Sequence, residues 1–230
     1  MRVAVVTVGD ELLSGDTENT NATWLCRQLT ERGAGVERVA TVPDRVADIA
    51  RVVNEYNAEY DAVVVTGGVG PTHDDVTMDG VAAAFGRQVE PNEEATEWLT
   101  EESGYAADDL VDGTTHLPAG ARMLRNPEGV APGAVVGSVY VFPGVPDEMQ
   151  AMFETVAEEF SGEPTYVEMV VADEPESALI DRIETVQERF DVQVGSYPGR
   201  NVRLKVSAHD PDVVRDATAW LEANVELAGS

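Results

Sequence analysis

A single cysteine, Cys26, occurs in 230 residues, so no internal disulfide and no cysteine-ligated metal cluster can form. Lysine also occurs once, at Lys205; the other basic residues are arginines, and together they number 15 against 43 acidic residues, a formal net charge of −28. Such a surface repels nucleic acid and anionic membranes, which removes both as expected partners. The three histidines, His73, His116 and His209, are scattered without a helical His-x-x-x-His pair, so a histidine zinc site is not expected. No Gly-x-Ser-x-Gly elbow and no Walker lysine occur, which excludes a serine hydrolase of that fold and a P-loop NTPase. No apolar run reaches membrane-spanning length and no signal peptide precedes the first strand, so a soluble, cytoplasmic chain is expected. Aromatics make up only 6%, which leaves Val and Ala to fill a core drawn from 43% hydrophobic residues.

The acidic excess is expected to be a solvent adaptation of halophile type, in which high salt screens the self-repulsion. The expected outcome is a melting temperature that rises from dilute buffer to molar KCl. Equal stability without salt would contradict it.

The hydropathy pattern alternates strand and helix. Strands are expected at Arg2–Val8, Val36–Val42, Ala62–Val65 and Val139–Phe142. Between them lie a helix from a cap at Asn21 to about Gly33, a helix opened by Pro43-Asp44 over Val46, Ile49, Val52 and Val53, and a helix over Val81–Phe85. Pro91 to Ser103 reads as a further helix, Asp108 to Gly113 as a polar loop, and Leu117 to Val136 as an irregular insert with a short hairpin near Asn126–Gly129. This pattern is that of a three-layer α/β/α domain with a mostly parallel sheet. Ser161–Pro164 marks the expected boundary, giving domains 1–162 and 163–230, the second a small α+β unit of strand, helix, hairpin and helix.

Three loops each follow a parallel strand: Gly9 to Gly15, Gly67 to Asp75 and Pro143 to Glu148. In open α/β sheets ligands bind beyond the carboxyl ends of strands. The central stretch, Thr66-Gly67-Gly68-Val69-Gly70-Pro71-Thr72-His73-Asp74-Asp75, can turn successive backbone N–H groups into one concavity that attracts anions. The adjoining Asp74 and Asp75 make sense beside a phosphate if a divalent cation such as Mg2+ bridges them, with Asp10 as a further candidate ligand. Asp10 and Glu11 face the ligand or start a turn; Asn19 and Asn21 reach its ring atoms or cap the helix; Asp44, on the same edge, acts in catalysis or caps its own helix. Alternatively the glycines only make a tight turn, with Asp75 or Thr77 capping the next helix.

The motifs Gly9-Asp10-Glu11-Leu12-Leu13-Ser14-Gly15 with Asn19-Thr20-Asn21, Thr66–Thr72 with Asp74-Asp75, and Phe142-Pro143-Gly144-Val145-Pro146 with Glu148-Met149 together resemble the molybdopterin-binding (MoaB/Mog-like) domain. More narrowly they resemble the N-terminal part of the competence/damage-inducible protein A (CinA) family over about residues 1–160, and Glu176–Pro198 resembles the small α+β part that follows there. The resemblance implies a domain that binds molybdopterin or a related phosphate-bearing nucleotide through Gly9, Asp10, Glu11, Asn19, Asn21, Gly67, Gly68, Gly70, Pro71, Thr72, Pro143, Gly144 and Pro146. It implies divalent-metal-dependent cleavage of a pyrophosphate bond such as that of ADP-ribose, with Asp75 and Asp44 as catalytic carboxylates, or a non-catalytic pterin-binding module in molybdenum cofactor metabolism. It also implies a homo-oligomer, dimer or trimer. Two departures stand out. Asn19 replaces an aspartate common in the family, removing a negative charge near the site. The sequence also leaves no room for the C-terminal amidohydrolase domain of full-length CinA, so nicotinamide-mononucleotide deamidation is not expected.

Overall fold

A computed structural model of the chain describes residues 1–102 and 110–229, in two compact units, Met1–Gly162 and Glu163–Ser230. The end of the expected helix at Ser103 and the start of the expected loop at Asp108 lie outside the described residues.

The first unit runs β1 (Arg2–Val8), α1 (Asp10–Ser14), α2 (Thr20–Glu31), β2 (Gly35–Val42), α3 (Val46–Glu59), β3 (Ala62–Gly67), α4 (Thr77–Ala84), β4 (Val89–Pro91), α5 (Glu93–Glu97), a π-helical turn at Trp98–Glu102, β5 (His116–Pro118), β6 (Arg122–Leu124), β7 (Gly133–Val136), β8 (Val139–Pro143) and α6 (Pro146–Glu154). The main sheet has the order β2-β1-β3-β8-β7-β6. Its first four strands are parallel, and β7 and β6 add antiparallel. β4 and β5 pair separately.

Strand alternation sorts the side chains into two layers. Val6, Val8, Val63 and Val65 meet Ile49 and Val53 of α3 and Met78 and Val81 of α4. Val3, Val5 and Val64 meet Leu25 and Leu29 of α2 and Met149, Met152 and Phe153 of α6. Three- and four-residue spacing puts each of these sets on one helical face, and burial of that face holds the helix to the sheet. The architecture is therefore the expected α/β/α sandwich. α3 and α4 cross closely because Gly80 has no side chain: a Cβ there would lie 2.5 Å from Ile49 Cβ.

Three expectations are corrected. Leu117 to Val136 is not irregular: it holds the end of β5 with β6 and β7, and the hairpin expected near Asn126–Gly129 is β6–β7, which extends the main sheet. Gly9 to Gly15 is not all loop, since α1 forms there and ends on Gly15 in the left-handed conformation (φ 81°). The cap of α2 is Asn19, whose Oδ1 accepts from Ala22 N at 3.0 Å; Asn21 lies inside the helix.

The second unit contains β9 (Tyr166–Ala172), α7 (Glu176–Phe190), β10 (Gln193–Tyr197), β11 (Val202–Ala208) and α8 (Pro211–Asn224). Its antiparallel sheet has the order β10-β11-β9, and Val170, Leu204 and Val206 pack on Leu179, Val186 and Leu221 of the helices. Among the described residues no helix is long and apolar enough to cross a membrane.

Candidate functional site

The sheet order fixes where a ligand can enter. From β1 the chain crosses to β2 on one side and to β3 on the other, so the direction of winding reverses between β1 and β3, the position at which open sheets leave a crevice. β3 and β8 are parallel neighbours with Gly67 opposite Pro143. The Gly67–Asp75 and Pro143–Glu148 loops therefore leave the same edge of the sheet, together with the Gly9 and Asp44 segments that follow β1 and β2.

Each loop is tied to a neighbour. Gly9 N donates to Val42 O at 3.1 Å, and Asp10 N donates to Asp44 Oδ2 at 2.8 Å. Asp44 does not cap α3; Arg45 holds the N-cap position, and Asp44 joins the ends of β1 and β2 instead. Burial pushes the Asp44 carboxyl above its ordinary range; the hydrogen bond from Asp10 N opposes this, and the charges of Glu11, Asp10 and Asp74 add to the rise. Its ionisation thus meets three like charges on this edge.

Asn19 is fully engaged. Besides its cap bond, its Nδ2 donates to Thr7 Oγ1 at 2.9 Å and to Thr41 Oγ1 at 3.4 Å, across β1 and β2. Its amide thus donates to two hydroxyls, which a carboxylate at this position could not do. Asn21 is buried, and its Nδ2 donates to Gly144 O at 2.7 Å, joining α2 to the loop after β8. Its Oδ1 has no partner.

In the glycine loop, Gly67 is required by space: a Cβ would lie 2.5 Å from Thr77 Oγ1 and 2.7 Å from Val8 Cβ. Thr77 Oγ1 is itself buried without a partner. Neither Asp75 nor Thr77 caps α4; Val76 holds the N-cap position without a side-chain bond. Asp75 turns back into the loop, where its Oδ2 accepts from Thr72 N at 3.3 Å and from the Thr72 hydroxyl. A Cβ on Gly68 would fall 1.9 Å from Asp75 Oδ1, and one on Gly70 would fall 2.8 Å from Oδ2. The concavity predicted for an external anion thus closes around the chain's own carboxylate. Asp74 is exposed; its own backbone N–H, then the Thr72 hydroxyl, hold its carboxyl below the ordinary range. His73 is wholly exposed, with Nδ1 3.7 Å from Asp74 Oδ1.

The loop after β8 is braced from behind. Glu148 Oε2 accepts from Asn126 Nδ2 at 2.7 Å, and the buried Asn126 also donates to Ala131 O at 3.0 Å and accepts from Glu128 N at 3.2 Å. Asn126 and Glu148 were missed as supports because the partners lie 22 residues apart.

Two cavities among the described residues open here. One, of about 100 Å³, is lined by Val8, Glu11, Leu12, Asn19, Asn21, Thr66, Gly144 and Pro146, with Thr17, Glu18 and Thr20. The other, of about 260 Å³, runs along Gly70, Pro71, Thr72 and Asp75 to Met78, Asp79, Val89, Gly113 and His116. Of this lining, Thr17 and Glu18 were not singled out from the sequence, although they lie between the Gly15 turn and the Asn19 cap. Asp10, Asp74 and Asp75 do not converge as a cage: among the described residues no group of three or more His, Cys, Asp or Glu is placed to hold a metal ion. Cys26 is half-buried, and burial pushes its thiol up, away from the reactive thiolate.

The family model described as "Probable molybdopterin binding domain" matches residues 4–162. A protein of Archaeoglobus fulgidus is 38% identical over 224 residues, covering 96% of this chain and 97% of its own. A "CinA-like protein" of Citrifermentans bemidjiense is 36% identical over 237 residues, covering 96% of this chain and 57% of its own. Among solved structures, "the protein CinA with unknown function" from Thermoplasma acidophilum superposes with a TM-score of 0.63 at 35% identity, covering 69% of this chain and 97% of its own.

Proposed function

Because the chain belongs to the probable molybdopterin binding domain family and is of CinA type, we propose that its first unit binds a phosphate-bearing pterin or nucleotide at the carboxyl ends of β1, β3 and β8 and hydrolyses a pyrophosphate bond, as in ADP-ribose, with a divalent metal. The observation that carries this reading is the convergence of three glycine- and proline-bearing loops on one sheet edge, fixed by the Gly67–Pro143 register and opening on a cavity at the reversal point.

A metal is tested by the donors present. Mg2+ is commonly held by one or two carboxylates together with substrate phosphates, not by an all-protein cage. Asp44, with Asp10, Glu11 and Asp74 close enough to raise its pKa, offers such carboxylates, and a cation would relieve their mutual repulsion. Asp74 and Asp10 would hold the ion with the phosphates, and the ion would neutralise phosphate charge. Asp75 takes the Thr72 N–H and hydroxyl and so fixes the shape of the loop beside which the phosphates would lie. Asp44 Oδ2 is occupied by Asp10 N–H, which leaves Oδ1 to take a proton from water. The water oxygen bonds to phosphorus, the bridging P–O bond breaks, and ADP-ribose yields AMP and ribose 5-phosphate.

The test is incubation of the pure protein in high KCl with ADP-ribose and Mg2+, Mn2+ or Co2+, following AMP. Asp44→Asn is expected to lower AMP formation about 100-fold or more, the usual worth of a general base, with the melting temperature retained. The second reading, a pterin-binding module without turnover, draws on the commitment of Asp75 to Thr72. Pterin binding without AMP would favour it.

A further inference from the structure

Strand alternation in the second unit leaves one face of its sheet without a partner. Val170, Val202, Leu204 and Val206 point to α7 and α8 and are buried. On the other face β9 presents Val167, Met169 and Val171, which are 41%, 46% and 38% exposed. By register Met169 stands beside Lys205 and Val171 beside Arg203 on β11, and Tyr197 of β10 stands on the far side of Arg203. The Tyr197 ring lies back across Gly195, where a Cβ would fall 3.1 Å from its Cε2. No acidic residue stands on this face within the three strands, and among the described residues Arg203 and Lys205 form no ion pair. In a chain of net charge −28, this leaves an exposed apolar row beside unpaired cations. Exposed apolar patches rimmed by polar groups mark interaction sites.

Charge decides what fits there. A two-fold, face-to-face contact would set Arg203 and Lys205 of the central strand β11 against their own copies, so the face calls for an acidic complement. α7 supplies one. Its Leu179 and Val186 face the core, and the exposed Asp181, Glu184 and Glu188, at three- and four-residue spacing, form a ridge on the opposite side of the helix. Ile180, 50% exposed, flanks that ridge. α8 is a poorer match: its Asp212 is already paired with Arg215 at 2.9 Å, and among the described residues it exposes no large apolar side chain. We infer that the open sheet face is a docking surface for a second copy of this chain, whose α7 ridge lies on it with Ile180 against the β9 row and its carboxylates against Arg203 and Lys205. Ridge and face lie on opposite sides of the unit, so the contact is head-to-tail and builds a ring or a chain of copies.

The test is sedimentation of the full chain over a concentration series in about 0.5 M KCl, which screens the net charge more strongly than a contact pair. The wild type is expected to self-associate as concentration rises. Arg203→Glu with Lys205→Glu, on the face, and Asp181→Lys with Glu184→Lys, on the ridge, are each expected to weaken that association about tenfold or more, since like charges then meet across the contact. The ridge variant is less acidic than wild type, so general repulsion alone predicts the reverse. Mixed in equal amounts, the two variants offer a reversed ridge to a reversed face and an unchanged ridge to an unchanged face, and association should return to near its wild-type strength. Met169→Ser, which changes no charge, is expected to weaken it as well. None of these side chains is buried, so melting temperatures should stay close to wild type. Any assembly made through the first unit is common to all variants and drops out of the comparison. A wild type with no concentration dependence, a charge variant of either kind that associates like wild type, or a mixture no more associated than its components overturns the inference.

Discussion

Phe153→Ala is expected to cost the first unit about 3–5 kcal/mol, the usual range for emptying a large aromatic site in a core. Phe153 is fully buried, the third member of the Met149, Met152, Phe153 face that holds α6 to the sheet. It stacks on Phe160 with ring centroids 5.4 Å apart, meets Trp24 of α2 edge-on at 5.4 Å and lies 6.2 Å from Phe142 of β8. The Arg32 guanidinium sits 5.4 Å from its centroid. Side chains from α2 and its C-cap, from β8 and from the Phe160 segment thus lose a common neighbour, and rigid rings cannot collapse into the gap as a flexible side chain could. Whole-domain stability is about 5–15 kcal/mol, so the loss is a large fraction of it. The denaturant midpoint of the variant, read against wild type in the same salt, checks the value; a loss below about 1 kcal/mol would mean that the α6 face does not depend on this ring. The site should feel it as well, because α6 begins at Pro146 and the loop before it presents Gly144 O to Asn21.

The parts of this fold that were legible in the sequence are those written in local pattern. Ala62-Val63-Val64-Val65 and Val139-Tyr140-Val141-Phe142 read as buried strands because both faces of a parallel sheet are covered, and they are β3 and β8. The heptad-like spacing of Leu25 and Leu29, and of Ile49, Val52 and Val53, placed α2 and α3. What stayed hidden is direction and partnership over long separations. Asn19 and Asn21 are equally good caps by type, and only the cap bond to Ala22 N decides between them. Asp44 has the position of a helix cap, yet its carboxylate goes to Asp10 N, 34 residues away. The turn of the β6–β7 hairpin was legible near Asn126–Gly129, but its strands have only three and four residues, too few for a period to show their place in the main sheet. The glycine loop was visible as a turn rich in free N–H groups, but the sequence does not reveal that Asp75 points back into it. Asp10, Asp74 and Asp75 made a plausible metal set by adjacency in motif, and their side chains do not gather as one.

That inward carboxylate gives Gly68→Ala a large expected effect on function. Gly68 has no left-handed backbone to protect, so the need for glycine there is one of space alone. An added Cβ would stand 1.9 Å from Asp75 Oδ1 and 3.1 Å from Asp75 Cα. A carboxylate can swing away from the first contact, but the second is to the main chain, so both the side chain and the Gly67–Asp75 bend must shift. Thr72 N–H and hydroxyl then lose the acceptor that shapes them, and the surface presented to a phosphate moves by an amount comparable to the overlap. A displacement of about 1 Å in a positioning element can cost about 100-fold in rate, and a loss of that order in AMP formation is expected, with weaker pyrophosphate binding and little change in melting temperature. Gly35→Ala, at the start of β2 and away from the strand ends that form the site, is the control: its added Cβ would meet only Met1 O, at 3.8 Å, so it should stay within a few-fold of wild type. Gly68→Ala with Asp75→Ala should not restore the bend, since the contact with Asp75 Cα remains and Thr72 loses its acceptor altogether, so pyrophosphate affinity should stay low. Wild-type affinity and turnover in Gly68→Ala alone would mean that the bend around Asp75 has no part in holding a ligand.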